Sequence, residues 1–236
     1  MLVIYRYSDA GHVPSSSGWN ITKEDCFNNF YSKFKDQKIV FICDNCTQAS
    51  IDKFVNLKNG KVYVTNYGAH VGFLKSIQFI LDNYPDEDSY YFAEDDYMYS
   101  SMDAYPLLLE GLTKADYCTL YDHPDKYPDY HYAPNPLLKE NGERSLIYRT
   151  DSIHWKTTNS LCYTFAVKRE VLLQDITVFN RHMYDFPAFT ELHNSGRIIA
   201  SCIPGQATHI ASGPGVRGIK EAKQYESPFF KYEVSS

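Results

Sequence analysis

Residues 61–96 read KVYVTNYGAHVGFLKSIQFILDNYPDEDSYYFAEDD. Lys61-Val62-Tyr63-Val64-Thr65 has the β-branched and aromatic content of a strand. Gly68 to Gly72 opens a helix, in which Val71, Leu74, Ile77 and Leu81 recur at helical spacing. Pro85 marks its end. Tyr90-Tyr91-Phe92-Ala93 is the next strand, and it runs directly into Glu94-Asp95-Asp96. A strand, an amphipathic helix and a strand in that order imply a crossover connection and parallel pairing.

The same rhythm extends outward. Leu2 to Tyr7 reads as the first strand, followed by a turn-rich loop from Ser8 to Asn20. Thr22 is placed to cap a helix running to about Phe34, with Asp25 three residues on completing a capping box. Ile39-Val40-Phe41-Ile42-Cys43 is apolar throughout, the signature of a strand buried on both faces. Ile51, Phe54, Val55 and Leu57 predict a short helix. Further strands are expected at Tyr117–Tyr121, Leu161–Val167 and Ile198–Ile203, with helices starting at Arg169 and spanning Phe186–Asn194. His123 to Arg149 breaks the pattern, being rich in Tyr, Pro and charge and too long for a simple connection. The expected fold class is α/β, a mostly parallel central sheet flanked by helices in a single domain over 1–236.

Composition narrows the function. The chain has 236 residues, and its 44% hydrophobic content suffices for a packed core. Formal net charge is −6 with no basic run, which argues against a nucleic-acid partner. The six cysteines mostly sit in apolar runs and read as free thiols. Cys43-Asp44-Asn45-Cys46 lacks the second ligand pair of a structural zinc site. No apolar stretch approaches a transmembrane length and the N-terminus does not read as a signal peptide, so a soluble, cytoplasmic protein is expected.

Ligands of open α/β sheets bind outside the carboxyl ends of the strands. Three such ends carry acids: Asp9, Asp44, and the run Glu94-Asp95-Asp96. In an extended backbone Glu94 and Asp96 point one way and Asp95 the other. That arrangement suits a hard divalent cation shared with a phosphate oxygen, although a solvated acidic turn would look the same.

The run from Val62 through Gly68-Ala69-His70-Val71-Gly72 to Glu94-Asp95-Asp96 resembles the donor half of GT-A fold glycosyltransferases, whose DxD-type acidic motif ends a strand. Ser160 to Lys168 is similar to their acceptor-side strand. Asp185, the helix after it, Gly196 and a strand resemble the segment that carries the base in inverting, family-2-like members. His209 falls where some members place a further metal ligand. Two positions depart from the pattern: Glu94 stands first in the acidic motif, and Tyr184-Asp185 replaces the common Glu-Asp pair. The resemblance implies a donor half over 1–100, an acceptor half over 101–212, and a flexible segment over 213–236.

It also implies roles. Asp96 would ligate Mn2+ or Mg2+, with His209 as a further ligand. Glu94 or Asp95 would contact the donor ribose or a metal-bound water. Asp9 and Asp44 would hydrogen-bond the nucleoside. Asp185 would take the proton of the acceptor hydroxyl, with inversion at the anomeric carbon. The substrates would be a nucleotide-diphosphate sugar and a glycan or other hydroxyl acceptor. The residue readings keep alternatives open: Asp185 as a helix cap, with Glu191 the next candidate base; Asp44 as a turn former; His209 as a partly buried histidine. Tyr127, Tyr130, Tyr132 and Trp155 are candidate platforms for the acceptor. Arg217 and Lys220, in a glycine-rich tail, would close over the diphosphate. The alternative functions are a sugar nucleotidylyltransferase and a non-catalytic glycan-binding module. Tyr7-Ser8-Asp9-Ala10-Gly11-His12 is not the glycine-rich, Arg- and Lys-containing loop expected of the first.

Overall fold

The computed structural model describes residues 1–10, 21–100, 103–123, 126–127 and 144–210. The chain opens with β1 (Leu2–Tyr7), α1 (Lys23–Phe34), β2 (Ile39–Asp44), α2 (Gln48–Val55), β3 (Gly60–Thr65), α3 (Ala69–Asn83) and β4 (Ser89–Glu94). It continues through β5 (Tyr97–Tyr99), α4 (Ala104–Gly111), β6 (Tyr117–Thr119), β7 (Ile147–Arg149), β8 (His154–Thr157) and β9 (Phe165–Lys168). It closes with α5 (Arg169–Arg181), α6 (Asp185–Asn194), β10 (Ile199–Ile203) and β11 (Ala207–His209).

Among the described residues, nine strands form one sheet in the order β3-β2-β1-β4-β9-β6-β10-β8-β7. The block β3-β2-β1-β4 is parallel throughout, as the crossover units require. Strand β9 then runs antiparallel between β4 and β6, and β10 resumes parallel pairing with β6. Alternate residues of the central strands face opposite layers. Val3 and Tyr5 join Phe27, Phe30, Phe34 and Phe54 on the side of α1 and α2. Leu2 and Ile4 join Phe73, Ile77, Ile80 and Phe179 on the side of α3 and α5. With both faces covered, the strands had to be apolar at nearly every position. The capping box is formed: Thr22 Oγ1 accepts from the Asp25 amide at 3.1 Å, and Asp25 Oδ2 accepts from the Thr22 amide at 2.8 Å.

Several expectations need correction. The strand predicted over Leu161–Val167 begins at Phe165; just before it, the Thr164 carbonyl accepts from the Thr119 hydroxyl at 2.7 Å. Regular pairing of the Tyr117 strand stops at Thr119. Beyond it, the Leu120 carbonyl accepts from the Gln206 and Ala207 amides at 2.8 and 2.9 Å, turning the chain toward β11. The irregular stretch ends in a β7–β8 hairpin; residues 128–143 within it, with Tyr130 and Tyr132, lie outside the described residues. Trp155 is not a sugar platform. It sits in β8 with no exposed surface, its indole N–H donating to Thr150 Oγ1 at 3.2 Å.

Trp155 packs where α4 ends. A Cβ on Gly111 would lie 2.6 Å from Trp155 Cη2 and 2.7 Å from Cys118 Sγ, both in the core. Gly111→Ala is therefore expected to destabilise the protein by about 1–3 kcal/mol, the cost of overpacking a filled core. A urea melt reads this as a lower midpoint at unchanged slope. An unchanged midpoint would mean that the indole moves aside freely. Among the described residues, no helix is long and apolar enough to cross a membrane.

Candidate active site

The acidic run leaves β4 and separates into three directions. Glu94 faces the end of β1, where Arg6 Nη1 donates to its Oε1 at 2.7 Å; Arg6 Nη2 also donates to the Ala69 carbonyl at 2.7 Å. Burial, opposed by that guanidinium, pushes the Glu94 carboxyl up to about 7. Asp95 turns the other way. Its Oδ2 accepts from the Ser8 amide (2.9 Å) and the Lys23 ammonium (2.7 Å), so it ties the exit of β1 to the start of α1. Burial raises its pKa while Lys23 pulls it down.

Asp96 leads into β5, which pairs antiparallel with β11 in a small second sheet that brings His209 opposite Tyr97. The His209 imidazole stacks on the Tyr97 ring, centroids 4.8 Å apart and planes at 16°. His209 Nε2 lies 2.9 Å from Asp96 Oδ2. Burial alone would raise the Asp96 carboxyl, yet His209 holds it below its usual range. Burial alone would lower His209, yet Asp96 raises it. The other oxygen, Asp96 Oδ1, is buried and has no hydrogen-bond partner.

This pair fits the implied divalent cation. A buried carboxylate oxygen without a donor is costly unless positive charge meets it. The 2.9 Å between Asp96 Oδ2 and His209 Nε2 is the length of a hydrogen bond or ion pair, and both groups would turn from each other to a bound cation. Among the described residues no third carboxylate, thiol or imidazole completes a cluster. Phosphate oxygens and water would supply the remaining ligands, as is usual for such ions.

At the end of β2, Asp44 is buried and already bonded. Its Oδ1 accepts from Thr65 Oγ1 (2.8 Å) and the Tyr67 amide (2.7 Å). Its Oδ2 accepts from the Gly68 amide (2.9 Å) and Asn45 Nδ2 (2.8 Å). The carboxylate thus holds the entry to α3, where Gly68 adopts φ +79, a conformation that glycine takes without strain. Asp44→Ala would strand two backbone amides, a hydroxyl and the Asn45 side-chain amide, and is expected to cost about 1–3 kcal/mol without any ligand. Equal melting of variant and wild type would show that the residue serves a ligand only. Asp9 accepts from the Thr47 amide (2.6 Å) and Ser50 Oγ (2.9 Å) at the start of α2. Burial would raise its pKa, but these bonds leave it lowered.

Asp185 is the first residue of α6 rather than its cap, a position held by Tyr184 without a side-chain bond. Asp185 Oδ1 accepts from the Phe186 amide at 2.7 Å. Burial raises its carboxyl, opposed by that amide and by His123 and His209. It lines a cavity of about 150 Å³ with Tyr121, His123, Lys126, Ser160 and Cys162 among its neighbours. Lys126 Nζ donates to Asn159 Oδ1 and Ser160 Oγ, both at 2.6 Å. Glu191 is a poor substitute base: it lies on the surface of α6, paired with Arg181 and with His182 Nε2 at 2.6 Å. Arg217 and Lys220 lie outside the described residues. Sequence reasoning missed Arg6 and Lys23, whose only signal was a cation in or beside an apolar element facing an acidic run.

No known family matches the chain, and no curated protein does. Solved structures do match its fold. A putative glucose-1-phosphate thymidylyltransferase from Bacillus anthracis, in complex with a sucrose, has a TM-score of 0.53 at 10% identity, covering 100% of this chain and 98% of that one. The 4-diphosphocytidyl-2C-methyl-D-erythritol synthase of Anaerococcus prevotii gives 0.52 at 7% identity, covering 98% and 96%. HddC from Yersinia pseudotuberculosis gives 0.51 at 11% identity, covering 97% and 99%. The architecture is therefore similar to that of nucleotide-diphospho-sugar transferases. The first neighbour is named for nucleotidylyl transfer, and none of the three is named for glycosyl transfer.

Proposed function

We propose that the protein transfers a sugar from a nucleotide-diphosphate donor to a hydroxyl acceptor, with a divalent cation held at Asp96 and His209. The observation that carries this reading is the partnerless Asp96 Oδ1 beside the Asp96–His209 pair, with Asp185 lining the nearby cavity. The bound cation would offset the charge that grows on the departing diphosphate. Asp185 accepts the proton of the acceptor hydroxyl as that oxygen bonds to the anomeric carbon. The bond from that carbon to the phosphate oxygen breaks, its electron pair leaves with the nucleoside diphosphate, and the configuration inverts. A carboxyl raised by burial is a better base than an exposed one. Asp9 and Asp44 order the strand-end loops against which the nucleoside lies.

The fold comparisons favour the second reading, a sugar nucleotidylyltransferase, over glycosyl transfer. The chain after β1 lacks the basic, glycine-rich loop that this chemistry uses to hold a triphosphate. The bond that breaks decides between them. Phosphorus NMR of a panel of nucleotide sugars with Mn2+ should show nucleoside diphosphate forming, by transfer or by leakage to water. Nucleoside triphosphate and sugar 1-phosphate, appearing only with added pyrophosphate, would establish nucleotidylyl transfer instead. Binding with neither product would leave a glycan-binding module.

A further inference from the structure

We propose that Tyr184, with His70 behind it, is the platform on which the sugar ring of the acceptor stacks; this rests on the transfer reading above. Of the residues expected for that task, Tyr130 and Tyr132 lie outside the described residues, and the other two are committed elsewhere. Trp155 is in the core, and the Tyr127 ring lies against the Lys156 ammonium, 4.6 Å from its centroid. The exposed large apolar side chains include Tyr67 and Val71 at the start of α3 and Met183 and Tyr184 at the start of α6.

Tyr184 is 53% exposed, yet it is held in place. Its ring meets the His70 ring at 4.5 Å and 75°. The preceding residue is pinned to the core, because the Tyr163 hydroxyl donates to the Met183 carbonyl at 2.9 Å and the Tyr163 ring stacks on Phe73 at 4.0 Å. A ring already ordered loses little freedom when a ligand covers it. The residue that follows is Asp185, which lines the cavity described above, so a sugar laid on Tyr184 would lie one residue along the chain from the proposed base.

A second observation points the same way. Tyr184 holds the N-cap position of α6 and makes no capping bond there. Ser, Thr, Asp or Asn would satisfy the first turn, and Tyr does not. The ring gives α6 no capping bond, and beyond its contact with His70 it leaves an exposed flat face of the kind from which an apolar sugar face gains.

That mismatch supplies the test. Tyr184→Ser supplies a capping hydroxyl while giving up the ring's contact with His70, two opposed effects, and a thermal melt beside the wild type shows that the variant is folded before its binding is read. The probes are the methyl α- and β-glycosides of glucose, galactose and mannose, followed by saturation-transfer NMR with nucleoside diphosphate and Mn2+ present. At least one glycoside should bind the wild type through its ring C–H protons. Its affinity should fall roughly five- to tenfold in Tyr184→Ser, the scale of one aromatic contact, and return in Tyr184→Trp. Equal affinity in wild type and Tyr184→Ser would overturn the platform, as would binding of none of the six. Glycoside binding that responds to Tyr184 in a protein that never releases nucleoside diphosphate would retain the platform and remove the transferase reading.

Discussion

Asp96→Ala abolishes manganese-dependent binding of a nucleoside diphosphate while the chain keeps its fold. The substitution removes Oδ2, which meets His209, and the partnerless Oδ1, leaving one imidazole as the protein's share of the proposed site. Changes one layer outside a metal site already cost 10- to 100-fold in affinity, so losing the carboxylate itself should cost roughly 100-fold or more. Titration calorimetry of wild type and variant, with and without Mn2+, measures the difference. Metal-dependent affinity that survives in Asp96→Ala would rule out Asp96 as a ligand. Manganese should outperform magnesium, since an imidazole favours the softer ion.

Asp185→Asn should keep donor affinity and lose transfer by roughly 100-fold, the usual scale for removing a general base. The variant is clean because an Asn oxygen can still accept from the Phe186 amide, as Asp185 Oδ1 does at 2.7 Å. The start of α6 is therefore preserved while the proton acceptor is lost. Transfer at near wild-type rate would reduce Asp185 to a helix-terminal carboxylate. Glu191 could not replace it, because its carboxylate is paired on the surface with Arg181 and His182.

The parallel half of the sheet was legible because its signals are local. Ile39–Cys43 and Tyr90–Ala93 are apolar over their whole length, and Thr22 with Asp25 announces α1 three residues apart. The acids at the strand ends could be read for the same reason. What escaped was set by pairing at long range. The β5–β11 ribbon is three residues on each side, too short to leave a periodicity. The reversal of β9 depends on its neighbours β4 and β6, not on its own residues. Trp155 illustrates the limit: an aromatic side chain in a polar stretch reads as exposed until the hairpin carrying it is seen folded onto α4. Likewise the three acids of the run look equivalent in sequence, and only Arg6, Lys23 and His209, from three separate segments, tell them apart.

The β5–β11 ribbon also orders events in time. Strands β1 to β4 are linked through short crossovers, and each can dock soon after it leaves the ribosome. His209 meets Asp96 across 113 positions of sequence. Closing so long a loop costs little extra free energy, since the penalty grows only with the logarithm of length, but it is kinetically late. A nascent chain therefore owns the parallel block β3-β2-β1-β4 well before it owns the Asp96–His209 pair. Chains not yet complete through β11 carry the parallel block without the Asp96–His209 pair.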